Sequence, residues 1–149
     1  LASLSDAYDA ANVQLLVNEG STLELESNQT TILGLDDLVG GEPDFELVES
    51  AEGFRIVLTH CPASFDHLRQ LPEETLVLSG HTHGGQISPL GFPLYLPKGS
   101  GRYVCGWYQR GNSFLFVSRG REFSSSNSDW VTARTIIHSS ELAMFSKFS

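Results

Sequence analysis

The first 54 residues contain no lysine and no arginine, although they hold 12 of the 18 acidic residues. All 9 basic residues fall in 55–149, where they face only 6 acids. With a net charge of −9, the chain lacks the cationic surface that sequence-independent nucleic-acid binding uses to neutralise phosphates. Nucleic acid is therefore not expected as a partner. Cysteine is scarce too: Cys61 and Cys105 cannot make a disulfide framework, and two buried thiols are the expectation. No apolar run approaches the roughly 18 residues that span a bilayer, and nothing at the start resembles a signal peptide. The chain opens on Leu1 rather than Met, so a processed or cut start is expected.

What is present reads as one soluble globular domain: 149 residues, 40% hydrophobic and 18% charged. Residues 4–16 carry few breakers and predict a helix capped by Ser5 or Asp6. Period-two alternation over 22–26, a Ser-Asn-Gln turn and the run Thr30 to Leu35 predict a hairpin. A glycine-bounded acidic loop comes next, with Asp36 and Asp37, and then a short helix from Asp44 to about Ala51. The continuous apolar runs Phe54 to Thr59 and Thr75 to Ser79 predict strands buried on both faces, joined through a helix over 64–70. Strand, helix, strand in about 26 residues is a parallel βαβ unit. A Pro/Gly loop over 88–101, a hairpin of 103–108 with 113–118, and closing strands at 131–138 and 141–145 complete the expectation. Residues 121–129, polar and serine-rich, read as a mobile loop.

The βαβ reading matters because of the residues at the end of each strand. His60 stands just after the first, and Gly80-His81-Thr82-His83-Gly84-Gly85 just after the second. Ligand chemistry in α/β proteins gathers at the carboxyl ends of strands. In an extended segment residues i and i+2 face one side, so His81 and His83 are expected to converge, with His60 joining them. Their glycine flanks let the backbone bend and a substrate approach. A lone histidine is more often an ordinary core or surface residue, and His67 and His138 keep that reading. Three at paired strand ends point to metal. A metallo-β-lactamase-like site fits less well, since it wants Asp-His after the pair, where Gly84-Gly85 stands.

The string Gly80 to Gln86, with Leu58-Thr59-His60-Cys61-Pro62 upstream, resembles the C-terminal half of a calcineurin-like metallophosphoesterase, closest to the bacterial subgroup ending in GHTHGGQ. Gly34-Leu35-Asp36-Asp37 with Pro43-Asp44, and Tyr103, Gly106 and Leu115 to Gly120, also look like that subgroup. The resemblance implies an α/β fold, a four-layer αββα sandwich, of which 1–149 is the C-terminal portion of a single domain, truncated at its N-terminal side. It implies two divalent transition-metal ions (Mn, Fe or Zn), with His60 and His81 on one and His83 on the other. It further implies hydrolysis of phosphate mono- or diesters by a hydroxide bridging the ions, and membrane-surface association of the bacterial parent protein.

The family's N-terminal motifs, Asp-x-His, Gly-Asp and Gly-Asn-His-Asp, do not occur in these residues. The expectation is therefore that this chain alone is inactive. The alternative is a non-catalytic interaction domain that keeps the fold. Arg119 is open between a phosphate contact and a surface residue, Asp36 and Asp37 between cleft lining and turn chemistry, and Gln86 is undecided.

Overall fold

In the computed structural model, which describes residues 8, 10–25, 28–68, 71, 74–85, 95–119, 137–138 and 141–143, the chain builds a six-stranded mixed sheet and a separate three-stranded one. In chain order the elements are β1 (Leu15–Leu16), β2 (Glu19–Leu25), β3 (Asn28–Gly34), α1 (Phe45–Ser50), β4 (Phe54–Thr59), α2 (Ser64–His67), β5 (Thr75–Ser79), β6 (Gly106–Arg110), β7 (Ser113–Val117), β8 (Ile137–His138) and β9 (Glu141–Ala143). The large sheet runs β2-β3-β4-β5-β7-β6. Its inner strands β3, β4, β5 and β7 are mutually parallel, and the antiparallel hairpin partners β2 and β6 close the edges.

The apolar runs explain this order. Register sets Leu33, Val57, Val77 and Leu115 side by side on one face. There they pack with Val48 of α1 and with Phe65 and Leu68 around α2 into one core. Each such side chain, taken out of water, stabilises the fold by about 1.5–3 kcal/mol. Asp44 starts α1 by accepting from the amides of Glu46 and Leu47 at 3.0 and 3.2 Å, which satisfies two of the four orphan donors of the first turn.

The opposite face is equally apolar. Ile32, Ile56, Leu76 and Phe114 form one row, and Leu58, Leu78, Phe116 and Trp107 another. Among the described residues, Leu16 of β1 covers part of it by packing on Ile32 and Leu58. Trp107, against Phe116 at 4.9 Å between ring centroids, stays 64% exposed.

Leu15 and Leu16 depart from the expected helix. Among the described residues before them Tyr8 and Ala10 are helical, and Asn12 breaks the turn at φ 54; the expected caps Ser5 and Asp6 lie outside the described residues. Leu15 and Leu16 then pair with Ala143 and Leu142 of β9 in the sheet β1-β9-β8. Burial of Leu16 and pairing with a distant segment outweigh local propensity here. Asn28 and Gln29, expected in a turn, are the first residues of β3. The later hairpin starts at Gly106 rather than at Tyr103. The 121–129 loop, Gln86, residues 88–94 of the Pro/Gly loop and the segment 131–136 lie outside the described residues. Among those described, no helix is long and apolar enough to cross a membrane.

Candidate metal centre

Parallel pairing puts four loops at one edge of the sheet. Asp36 and Asp37 follow β3, His60 and Cys61 follow β4, His81 to Gly85 follow β5, and Arg119 follows β7. Backbone and side-chain bonds tie neighbouring strand ends together. Leu35 N donates to Leu58 O at 2.9 Å, Ser79 Oγ to His60 O at 2.8 Å, and Ser118 N to Ser79 O at 2.8 Å.

Two of the three expected histidines meet. His81 Nδ1 lies 2.8 Å from His60 Nε2, with ring centroids 4.5 Å apart and planes at 66°. Cys61 Sγ completes a group whose potential ligand atoms all lie within 4.8 Å of one another. The expected extended conformation of 81–83 is not what forms. His81 and His83 adopt φ 70 and 49, with Gly84 and Gly85 also positive at 68 and 82. Left-handed backbone at non-glycine residues costs on the order of 1–3 kcal/mol and clusters at functional sites. The turn is pinned at its centre by Thr82, fully buried, whose Oγ1 donates to Val104 O. Its amide donates to Gly80 O and its carbonyl accepts from Gly85 N, each at 2.8 Å. This winding turns His81 toward His60 and leaves His83 exposed, outside the group of three.

Cys61 was legible only as a small buried residue, yet it touches the site. It is fully buried and donates to Asp37 Oδ1 at 3.1 Å. Burial first, then the Asp37 carboxylate beside it, pushes its thiol up to about 12. In Asp37 burial acts to raise the carboxyl, but bonds from Cys61 and from the Gly40 amide, with the charge of His60, together hold it below the ordinary carboxylate range. The two aspartates thus divide their work. Asp36 organises the loop, accepting from Asp37 N at 2.7 Å and Glu42 N at 3.0 Å, while its own amide is held by Asn18 Oδ1 at 3.0 Å. Asp37 accepts from Gly40 N at 2.8 Å and faces the site through Cys61.

Arg119 is exposed and lies across Gly84; a Cβ on that glycine would stand 3.3 Å from its Cγ and 3.6 Å from its Nε. The Lys98 carbonyl, 2.9 Å from His81 Nε2, is a partner without any side-chain signature in the sequence. His67 stacks on Phe45 at 4.8 Å, as an ordinary surface residue, and His138 belongs to β8.

Imidazole nitrogens, a sulfur and a nearby carboxylate are donors that suit a divalent transition metal. Known proteins point the same way. "Uncharacterized metallophosphoesterase YkuE" of Bacillus subtilis is 39% identical over 108 residues, 69% of this chain and 37% of that protein. "Phosphodiesterase YaeI" of Escherichia coli is 30% identical over 118 residues, 78% of this chain and 43% of that protein. The chain belongs to the metallophosphoesterase family. A "Transmembrane protein with metallophosphoesterase domain" of Danio rerio is 43% identical over 73 residues, 48% of this chain and 16% of that protein. No family model matches the chain, and no solved structure does. The chain spans about two fifths of the length of the Bacillus subtilis and Escherichia coli relatives. Membership in this family implies divalent metal ions, and the His60–Cys61–His81 group is where the described residues fit one.

Proposed function

We propose that this chain supplies the carboxyl-terminal part of a two-metal phosphoesterase centre that hydrolyses phosphate mono- or diesters. The observation that carries the reading is the 2.8 Å approach of His60 Nε2 and His81 Nδ1 at the ends of adjacent parallel strands. His60 and His81 hold one ion and His83, exposed on the same turn, reaches the other. Mn, Fe and Zn all accept imidazole. When bound, the ions supply Lewis acidity and a nucleophilic water at neutral pH.

The chain's own residues bind and orient. Thr82 and Ser79 fix the two loops that carry His60 and His81. Gly84 and Gly85 bring no side chain of their own to the approach, and the Arg119 side chain lying across Gly84 would meet phosphoryl oxygens, which its guanidinium matches as a planar fork of donors. Neutral imidazoles bring no negative charge to a pair of dications, and besides Asp37, which faces the site through Cys61, further carboxylate ligands would come from a longer polypeptide such as the bacterial relatives. The uncovered apolar face supports the four-layer sandwich, in which a second sheet would pack on Leu78, Phe116 and Trp107. The "transmembrane" in the name of the Danio rerio relative supports a membrane location for the whole protein.

The test compares this chain with a polypeptide extended at its N-terminus to the length of its bacterial relatives. Manganese-dependent hydrolysis of p-nitrophenyl phosphate is expected from the longer protein and little or none from the 149 residues alone. Metal-dependent turnover by the short chain contradicts the division of ligands. A longer protein that binds no metal ends the phosphoesterase reading.

A further inference from the structure

A carbonyl oxygen accepts and never donates, so the 2.9 Å contact between Lys98 O and His81 Nε2 decides where that ring carries its proton. Nε2 holds the hydrogen. In the neutral ring Nδ1 is left with the lone pair, and Nδ1 is the atom that faces His60 Nε2 at 2.8 Å.

The turn delivering this carbonyl is fastened on several sides. Gly99 O accepts from Ala63 N at 3.0 Å, at the start of α2, and Ser100 N closes the turn on Pro97 O at 3.1 Å. Ser100 is fully buried. Gly99 has φ +97, and a Cβ there would stand 2.6 Å from Cys61 Sγ and 2.8 Å from Val39 Cγ2. Only a residue without a side chain lets the turn sit this close to the residue following His60. A bulkier residue would push the turn outward and carry the Lys98 carbonyl away from the ring.

We propose that the Lys98–Gly99 turn is a positioning element of the metal centre: it locks His81 in the Nε2–H tautomer and so presents Nδ1, beside His60, as the ligand atom. The role given to the turn rests on the metal-binding reading above, but the lock itself does not. Outer partners of ligating histidines fix the tautomer and raise ligand basicity, and losing one typically lowers metal affinity about 10–100-fold.

The ring nitrogens of the metal-free chain, followed by 15N NMR at a pH where imidazole is neutral, test this directly. His81 is expected as a single tautomer, with Nε2 protonated and Nδ1 bare. In Gly99→Ala it becomes a mixture of both forms, and zinc affinity by calorimetry falls about 10-fold or more. Gly111→Ala is the control. That residue shares a positive φ, +58, but a Cβ there meets nothing within 4 Å, so tautomer and affinity stay as they were. A protonated Nδ1 in the unsubstituted chain overturns the proposal, and this measurement stands even if Gly99→Ala does not fold. A folded Gly99→Ala that loses the tautomer yet keeps its zinc affinity also overturns it, leaving the phosphoesterase reading intact. A locked tautomer in a chain with no zinc affinity overturns the role given to the turn, while the phosphoesterase reading is decided separately by metal binding to the longer protein.

Discussion

Tyr103 Oη donates to Asp66 Oδ1 at 2.7 Å, and this one bond ties the segment that anchors Thr82 to the helix that follows His60 and Cys61. The two histidine-bearing loops are thereby braced against each other through residues that ligate nothing. Tyr103 is fully buried, its ring edge-on to Tyr108 at 4.9 Å between centroids and to Phe65 at 6.0 Å.

Removing that hydroxyl should loosen the brace without opening a hole. Tyr103→Phe is expected to lower stability by about 1.5–3 kcal/mol, since the acceptor is a carboxylate. Asp66 keeps Arg110 at 3.6 Å. Burial first, then Asp66, raises the phenol above its ordinary value of 10.0. The unfolded chain therefore loses this proton before the folded one does. The contribution is fully present below about pH 10 and disappears as pH rises through the folded value. Urea unfolding of both proteins from pH 8 to 11 should show the difference between them shrinking at the alkaline end.

Metal binding should separate the histidines. His60→Ala and His81→Ala are expected to abolish measurable zinc binding by this chain, His83→Ala to leave most of it, and His67→Ala to leave all of it. Calorimetry reads each value. In the unsubstituted chain, zinc at about 100 times its dissociation constant should add about 2.7 kcal/mol of stability, and a chelator should remove it. Zinc affinity unchanged in the His81 variant would contradict the centre described here.

Gly34 lets β1 lie on β3. A Cβ there would fall 2.4 Å from Leu16 O and 2.6 Å from Leu16 Cβ. Gly34→Ala is expected to destabilise by about 1–3 kcal/mol, with hydrogen exchange rising first at Leu15 and Leu16.

Arg119→Ala, made in the polypeptide of full relative length, is expected to raise KM for a phosphate ester about 10-fold or more, as for a lost charge-assisted hydrogen bond. Arg119→Lys should recover only part, because an ammonium lacks the planar fork. A KM unmoved by both changes would leave Arg119 as a surface residue.

Much of this arrangement was legible from residue types alone. The apolar runs of β4 and β5 gave both strands their full extent. Their parallel pairing brought His60 and His81 to one edge, because hydrophobic patterning and strand handedness are local and general. The course of 81–85 was not legible, since rules for extended chain do not anticipate left-handed backbone at two histidines. Nor was β1, whose partner β9 lies more than a hundred residues along the chain. Cys61 hid behind its usual role as packing, and the Lys98 carbonyl carries no side-chain mark at all.

The half-bare face bearing Trp107 and Phe114 has a practical outcome. Produced by itself, the chain turns Trp107 and Phe114 to water, while its net charge of −9 opposes the approach of copies. Added salt screens that repulsion while driving apolar surfaces together. Clumping should therefore grow with ionic strength, and replacing Trp107 by a lysine should relieve it.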